Sequence, residues 1–130
     1  MSQGKSGHVT ANGVMLLLVA AGGFLLTLST LVNIAMMALG VGEPMPEVVD
    51  DFTAGQFAGQ IVGYTWGVIG GLAAGVLCGL AGWRLLAGHP KARKTAIAAW
   101  IVTIPACCCF PLAGYGLWSL TRPALKAELD

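Results

Sequence analysis

The sequence predicts an all-α integral membrane protein with three transmembrane helices and a short amphipathic helix between the first and the second. Three observations predict it. Apolar residues make up 56% of the 130 residues and charged residues 10%, where a soluble domain carries about a quarter charged. The charges are segregated: no Asp, Glu, Lys, Arg or His falls between Val9 and Gly42, between Phe52 and Trp83, or between Thr95 and Thr121. Each run exceeds the roughly 20 residues a helix needs to cross about 30 Å of hydrocarbon. The third is a row of glycines inside the middle run, Gly55, Gly59, Gly63, Gly67, Gly71, Gly75 and Gly79, spaced every fourth residue. On a helix, residues four apart share nearly one face, so the row is a groove without side chains. A glycine costs roughly 1 kcal/mol relative to alanine in a helix, and a closely approaching backbone is the compensation expected for a row this long.

Taken in order, residues 1–13 are polar and small, and read as a flexible tail with Thr10 or Asn12 as a cap. The first helix is expected over 14–40. Its apolar stretch is too long for the core of a signal peptide, so it reads as retained in the membrane. Its polar residues, Thr27, Ser29, Thr30 and Asn33, lie in its second half. Asn33 is the side chain expected to seek an interhelical hydrogen bond, since an unpaired amide is costly in hydrocarbon. Pro44 and Pro46 then break the chain, and Pro46 with Glu47, Asp50 and Asp51 suits the first turn of an amphipathic surface helix carrying Val48, Val49 and Phe52. The four acids lack the spacing of a calcium loop and read as a solvated surface.

The second helix is expected over 57–87, with Tyr64 and Trp66 toward one interface and Trp83 and Arg84 toward the other. The loop 88–94, with Gly88, His89 and Pro90, is short enough to make the next helix an antiparallel neighbour. The third helix is expected over 95–120 and contains Pro105 and Pro111, which deprive the carbonyls of Ile101 and Cys107 of their partners and predict a bend. Residues 14–121 thus form one transmembrane domain, and 122–130 a short tail. Because Arg84, Lys91, Arg93 and Lys94 cluster between the second and third runs, the 88–94 loop and the N-terminus are expected on the cytoplasmic side, and the 41–56 loop and the C-terminus outside. Arg122 and Lys126 count against that placement of the C-terminus.

Chemistry finds little foothold. The runs hold no ionisable group of the kind that pumps and ion-coupled transporters place in the membrane, and no nucleophile with a base, phosphate loop or zinc motif is present. A net charge of +1 without a basic face argues against nucleic acid. The one constellation with chemical potential is Cys78 with Cys107, Cys108 and Cys109, of which Cys78 and one or two of the triplet, joined by Met36 or Met37, would make a soft site for copper(I). Consecutive helical residues point about 100° apart, so the triplet cannot converge, and packing outweighs a metal or redox role. The sequence therefore predicts a protein that is not an enzyme and holds no cofactor. Its expected partners are the lipid bilayer and other membrane subunits or copies of itself. The expected function is a structural or accessory subunit that packs through its glycine-rich helix, and the alternative is a homo-oligomeric pore.

The closing segment Pro111-Leu-Ala-Gly-Tyr-Gly-Leu-Trp-Ser-Leu-Thr-Arg-Pro-Ala-Leu-Lys-Ala-Glu-Leu resembles the ends of small multi-pass bacterial membrane proteins of uncharacterised function. The likeness covers about 20 residues and implies a bacterial inner-membrane setting without implying an activity.

Overall fold

The computed structural model describes residues 7–107 and 110–129, without the side chains of residues 106, 107, 110 and 128. Every regular element among them is helical: α1 Gly7–Ala38, α2 Asp51–Ala87, α3 Ala92–Cys107, α4 Phe110–Thr121 and α5 Pro123–Leu129. Two of these, α1 and α2, are long and apolar enough to cross a membrane.

Helix α1 starts seven residues before the expected position, at Gly7. Residues 7–13 are not a tail, because Val9, Asn12 and Gly13 are buried against the rest of the chain. The helix ends where Gly40, at φ 72°, turns the backbone left-handed and Val41 N–H reaches back to Met36 O at 3.0 Å.

No separate amphipathic helix precedes α2 among the described residues, and Pro46–Val49 is irregular. The start is set instead by a reciprocal cap three residues wide. Thr53 N–H donates to Asp50 Oδ1 at 2.8 Å, and Asp50 N–H donates to Thr53 Oγ1 at 3.0 Å. These two bonds satisfy two of the N–H groups that a helix start leaves open, and the backbone and hydroxyl bonds from Thr53 hold the Asp50 carboxyl below its ordinary range. From there α2 runs uninterrupted for 37 residues to Ala87. Gly88, at φ 74°, closes it, and His89 N–H bonds Arg84 O at 3.0 Å.

The third expected span is not one helix. Pro105 lies inside α3, and Pro111 sits in the first turn of α4, where its missing donor is harmless. The two helices lie side by side and antiparallel instead of continuing one another with a bend. In one continuous helix Arg93 and Leu120 would be about 40 Å apart at 1.5 Å per residue, yet Arg93 Nε donates to Leu120 O at 2.9 Å. Trp100 and Gly116 also touch, the indole filling the space that a side chain at Gly116 would need. The pair α3–α4 is therefore an antiparallel hairpin.

This arrangement returns the C-terminal helices to the end that carries the start of α1 and the 88–94 loop, so the start of α1 and the helix α5 do not lie at opposite ends of the molecule. Arg84, Lys91, Arg93, Lys94, Arg122 and Lys126, all the described cations, share that basic end. Glu43, Glu47, Asp50 and Asp51, the carboxylates whose side chains are described, share the other. The core is built in the basic half, from Val9, Leu16, Ala20, Cys78, Ala81, Leu85, Ala96, Ala99, Trp100, Ala113 and Leu120 among others. In the acidic half, residues 31–36 of α1 and 55–63 of α2 are exposed but for Phe57, which is half-buried.

Candidate functional site

The interface between α1 and α2 is where the glycine row meets a partner. On α1 the buried positions Gly13, Leu16, Ala20, Gly23, Thr27 and Thr30 alternate steps of three and four. On α2 the glycines whose added Cβ would meet α1 are Gly67, Gly71, Gly75, Gly79 and Gly82, stepping by four and then by three. The 3.5-residue period of α1 keeps its seam on one side of the helix, whereas a strict four-residue row winds away by about 40° at each step. The row and the seam coincide from Gly67 to Gly79 and then part, the next contact being Gly82. Gly75 remains buried beside Ala74, and a side-chain carbon there would meet the Phe24 ring at 3.0 Å. Gly79 has moved to the flank, half-buried, with only Ala20 Cβ in reach at 3.6 Å.

At the centre of the seam backbone meets backbone. A Cβ on Gly71 would lie 2.7 Å from Gly23 O, and one on Gly23 would lie 2.8 Å from Gly71 O and 2.9 Å from Gly75 N. The threonines on either side give up no unsatisfied hydroxyl to this contact, because Thr27 Oγ1 donates to Gly23 O at 3.1 Å and Thr30 Oγ1 to Leu26 O at 2.8 Å. Thr30 packs directly on Gly67. Nearer the basic end, Gly82 faces Gly13 O, 2.8 Å from where its Cβ would be. Gly82 and Gly13 lie outside the four-residue row and belong to the same seam.

The other three glycines of the row behave differently. Around Gly55, Gly59 and Gly63 nothing lies within 4 Å of an added Cβ. The seam's α1 partner face ends at Thr30; beyond it no described helix packs on α2, and Pro44 and Pro46 border a cleft with Gln56, Gly59 and Gln60.

Asn33 lies one turn past Thr30, is exposed, and makes no side-chain hydrogen bond among the described residues. It lines a cleft of about 320 Å³ with Met36, Met37, Gly42, Glu43 and Tyr64. The amide that does join helices is Asn12. It is fully buried; its Nδ2 donates to Ser119 Oγ at 2.7 Å and to His8 O at 2.9 Å, and its Oδ1 accepts from Trp100 Nε1 at 3.2 Å. His8 Nδ1 and Tyr115 Oη add a second contact from α1 to α4 at 2.8 Å. This network ties the hairpin to α1, and its signal in the sequence was an amide that prefers a partner set among small polar residues.

Cys78 is buried at the seam's other side, 3.1 Å from Thr103 Oγ1 of α3. The side chain of Cys107 and the whole of Cys108 and Cys109 lie outside the described residues, so the four-cysteine arrangement lies outside them too. No family model matches the chain, and no match was found among curated proteins or solved structures.

Proposed function

We propose that this chain is an integral membrane protein without a catalytic role, an accessory subunit that holds its own fold with one half of α2 and presents the other half to a helix of a larger membrane assembly. The observation that supports it is the division of the glycine row. Gly67, Gly71 and Gly75 are packed against α1, whereas Gly55, Gly59 and Gly63 face open space. Each glycine costs roughly 1 kcal/mol against alanine in a helix, and a helical segment of about a dozen residues without tertiary contacts is marginal by itself. A partner that approaches as closely as α1 does elsewhere would offset that cost.

The distribution of charge orients the reading. By the positive-inside rule the basic end is cytoplasmic, with the N-terminus, the 88–94 loop and the C-terminal helices together on that side. Trp83 to Tyr64 is 19 residues, about 28 Å at 1.5 Å per residue, which matches the thickness of the hydrocarbon core. The segment from Asp51 to Gly63 then stands at and beyond the outer headgroups, and the α3–α4 hairpin enters the membrane from the cytoplasmic side without crossing it. The resemblance of the last 20 residues is consistent with a bacterial inner membrane.

Purification from the native membrane tests the proposal. The wild type should bring a stoichiometric membrane partner, and a Gly59→Leu, Gly63→Leu double variant should lose it while keeping the wild-type emission of the buried Trp100. A wild type that purifies alone and monomeric would refute the proposal. A homo-oligomer that conducts ions in planar bilayers would replace it with the pore reading.

A further inference from the structure

The cleft beside Asn33 is a consequence of how the seam ends. Where Thr30 meets Gly67, α1 and α2 are in close contact, a Cβ on Gly67 falling 3.1 Å from Thr30 Cγ2. One turn further on, the facing residues are Asn33 on α1 and Tyr64 on α2, neither of them small, and both line the space that opens there. The Gly40 reversal folds the chain back over the end of α1, with Gly42 N–H bonding Met36 O at 3.2 Å, and this brings Glu43 to the cleft's rim. Met36 and Met37 supply an apolar wall. The result is a cleft of about 320 Å³ lined by Glu43, Asn33, Tyr64, Met36, Met37 and Gly42, residues that bring a carboxylate, an amide, a phenol and two thioethers to it.

Neither Asn33 nor Tyr64 has a side-chain hydrogen-bond partner among the described residues. The surrounding field has one sign. Glu47, Asp50 and Asp51 stand on the same end as Glu43, and every described cation is at the opposite end. A carboxylate and an amide oxygen accept hydrogen bonds, an aromatic face and thioethers suit the carbon next to a positive nitrogen, and the acidic end concentrates cations.

We propose that this cleft binds an alkylammonium group, with Glu43 and Asn33 accepting from the nitrogen and Tyr64, Met36 and Met37 packing on the attached carbons. The group can come from a phosphatidylethanolamine headgroup or from a soluble amine, and either source meets the same five side chains. The site does not depend on a partner helix, so it stands or falls separately from the accessory-subunit reading.

The two asparagines of the chain, Asn12 and Asn33, make a selective readout. Protein labelled with ¹⁵N-asparagine is placed in phosphatidylglycerol nanodiscs, which lack ammonium groups, and its side-chain amide resonances are followed, with Asn33→Ala assigning the peaks. Butylammonium should shift the Asn33 resonance saturably and leave Asn12 in place, and butyrate and butanol should not. Glu43→Gln should weaken the effect at least about tenfold, and Tyr64→Leu about threefold, each with an unmoved Asn12 resonance as the check on folding. In the second arm phosphatidylethanolamine is added to the discs. If it shifts Asn33 and blocks butylammonium, the lipid headgroup is the source; if butylammonium alone acts, a soluble amine is. No saturable shift in either arm, an equal response to butyrate, or unchanged affinity in Glu43→Gln would overturn the proposal.

Discussion

Alanine at Gly71 should leave the protein less stable than alanine at Gly63, and the difference can be worked from the structure. Both substitutions remove the same backbone penalty of a helical glycine, roughly 1 kcal/mol. That term cancels between them. What remains is the space each new methyl finds. At Gly63 it meets nothing within 4 Å, whereas at Gly71 it falls 2.7 Å from Gly23 O, next to Thr27 Oγ1 and 3.2 Å from Thr27 N. Ordinary contact begins at 3.4 Å, so α1 must retreat by about 0.7 Å at the Gly23 carbonyl, which cannot rotate away as the Thr27 side chain can. Forcing a methyl into a closed contact of this kind costs about 1–3 kcal/mol, which is the expected gap between the two variants. Gly71→Leu should separate the helices outright, whereas a change at Leu72, which is 44% exposed, should cost little. Unfolding by sodium dodecyl sulfate in mixed micelles, followed by far-ultraviolet circular dichroism and tryptophan emission, measures it. If Gly71→Ala proved as stable as Gly63→Ala, the close approach of α1 and α2 would not be a contact that holds the fold, and the division of the glycine row would lose its meaning.

Two further outcomes follow from the hairpin and its anchor. Asn12→Ala leaves the buried Trp100 indole N–H without its acceptor and should cost about 1–3 kcal/mol, with a change in tryptophan emission, whereas Asn33→Ala should leave stability unchanged; equal effects in the same titration would count against the network. Single cysteines at Lys91 and Lys126, in a background where the four native cysteines are alanine, should react with an impermeant maleimide from the same side of oriented vesicles, and one at Val48 from the other. Labelling of positions 91 and 126 from opposite sides would restore a continuous third span.

Much of the architecture was legible because it depends on composition over long windows. An apolar run without charge makes α1 and α2 almost unavoidable, and the Gly88-His89-Pro90 sequence ends α2 close to where it was expected. Less was legible where two outcomes share one local cause. Pro105 and Pro111 each free a carbonyl, and that predicts a break without its angle; the reversal depends on Gly116 leaving room for Trp100, a contact between residues 16 apart that no window of periodicity samples. Asn12 was hidden in a similar way. Its neighbours are small and polar, so local composition favours a tail, and only packing against α3 and α4 makes it a buried amide with three partners. Asn33 shows the converse, since a lone amide in an apolar run draws the eye although the helix facing it has by then diverged. The glycine row was visible at once, but a four-residue repeat winds around its helix while the seam on α1 follows 3.5. Where the two part depends on the neighbour's own sequence, here the small residues from Gly13 to Thr30.

The hairpin has a geometric consequence for any bilayer that holds this chain. Where α3 and α4 lie beside α1 and α2, the body is four helices across; beyond the hairpin's tip it is two. With helices about 10 Å in diameter, each occupies roughly 80 Å² in projection, so the broad end claims about 160 Å² more of its leaflet than the narrow end claims of the other. In the membrane orientation proposed above, a body of that shape, with its wide base among the basic residues, would relieve packing stress in a membrane curved toward its narrow end and add to it in one curved the other way.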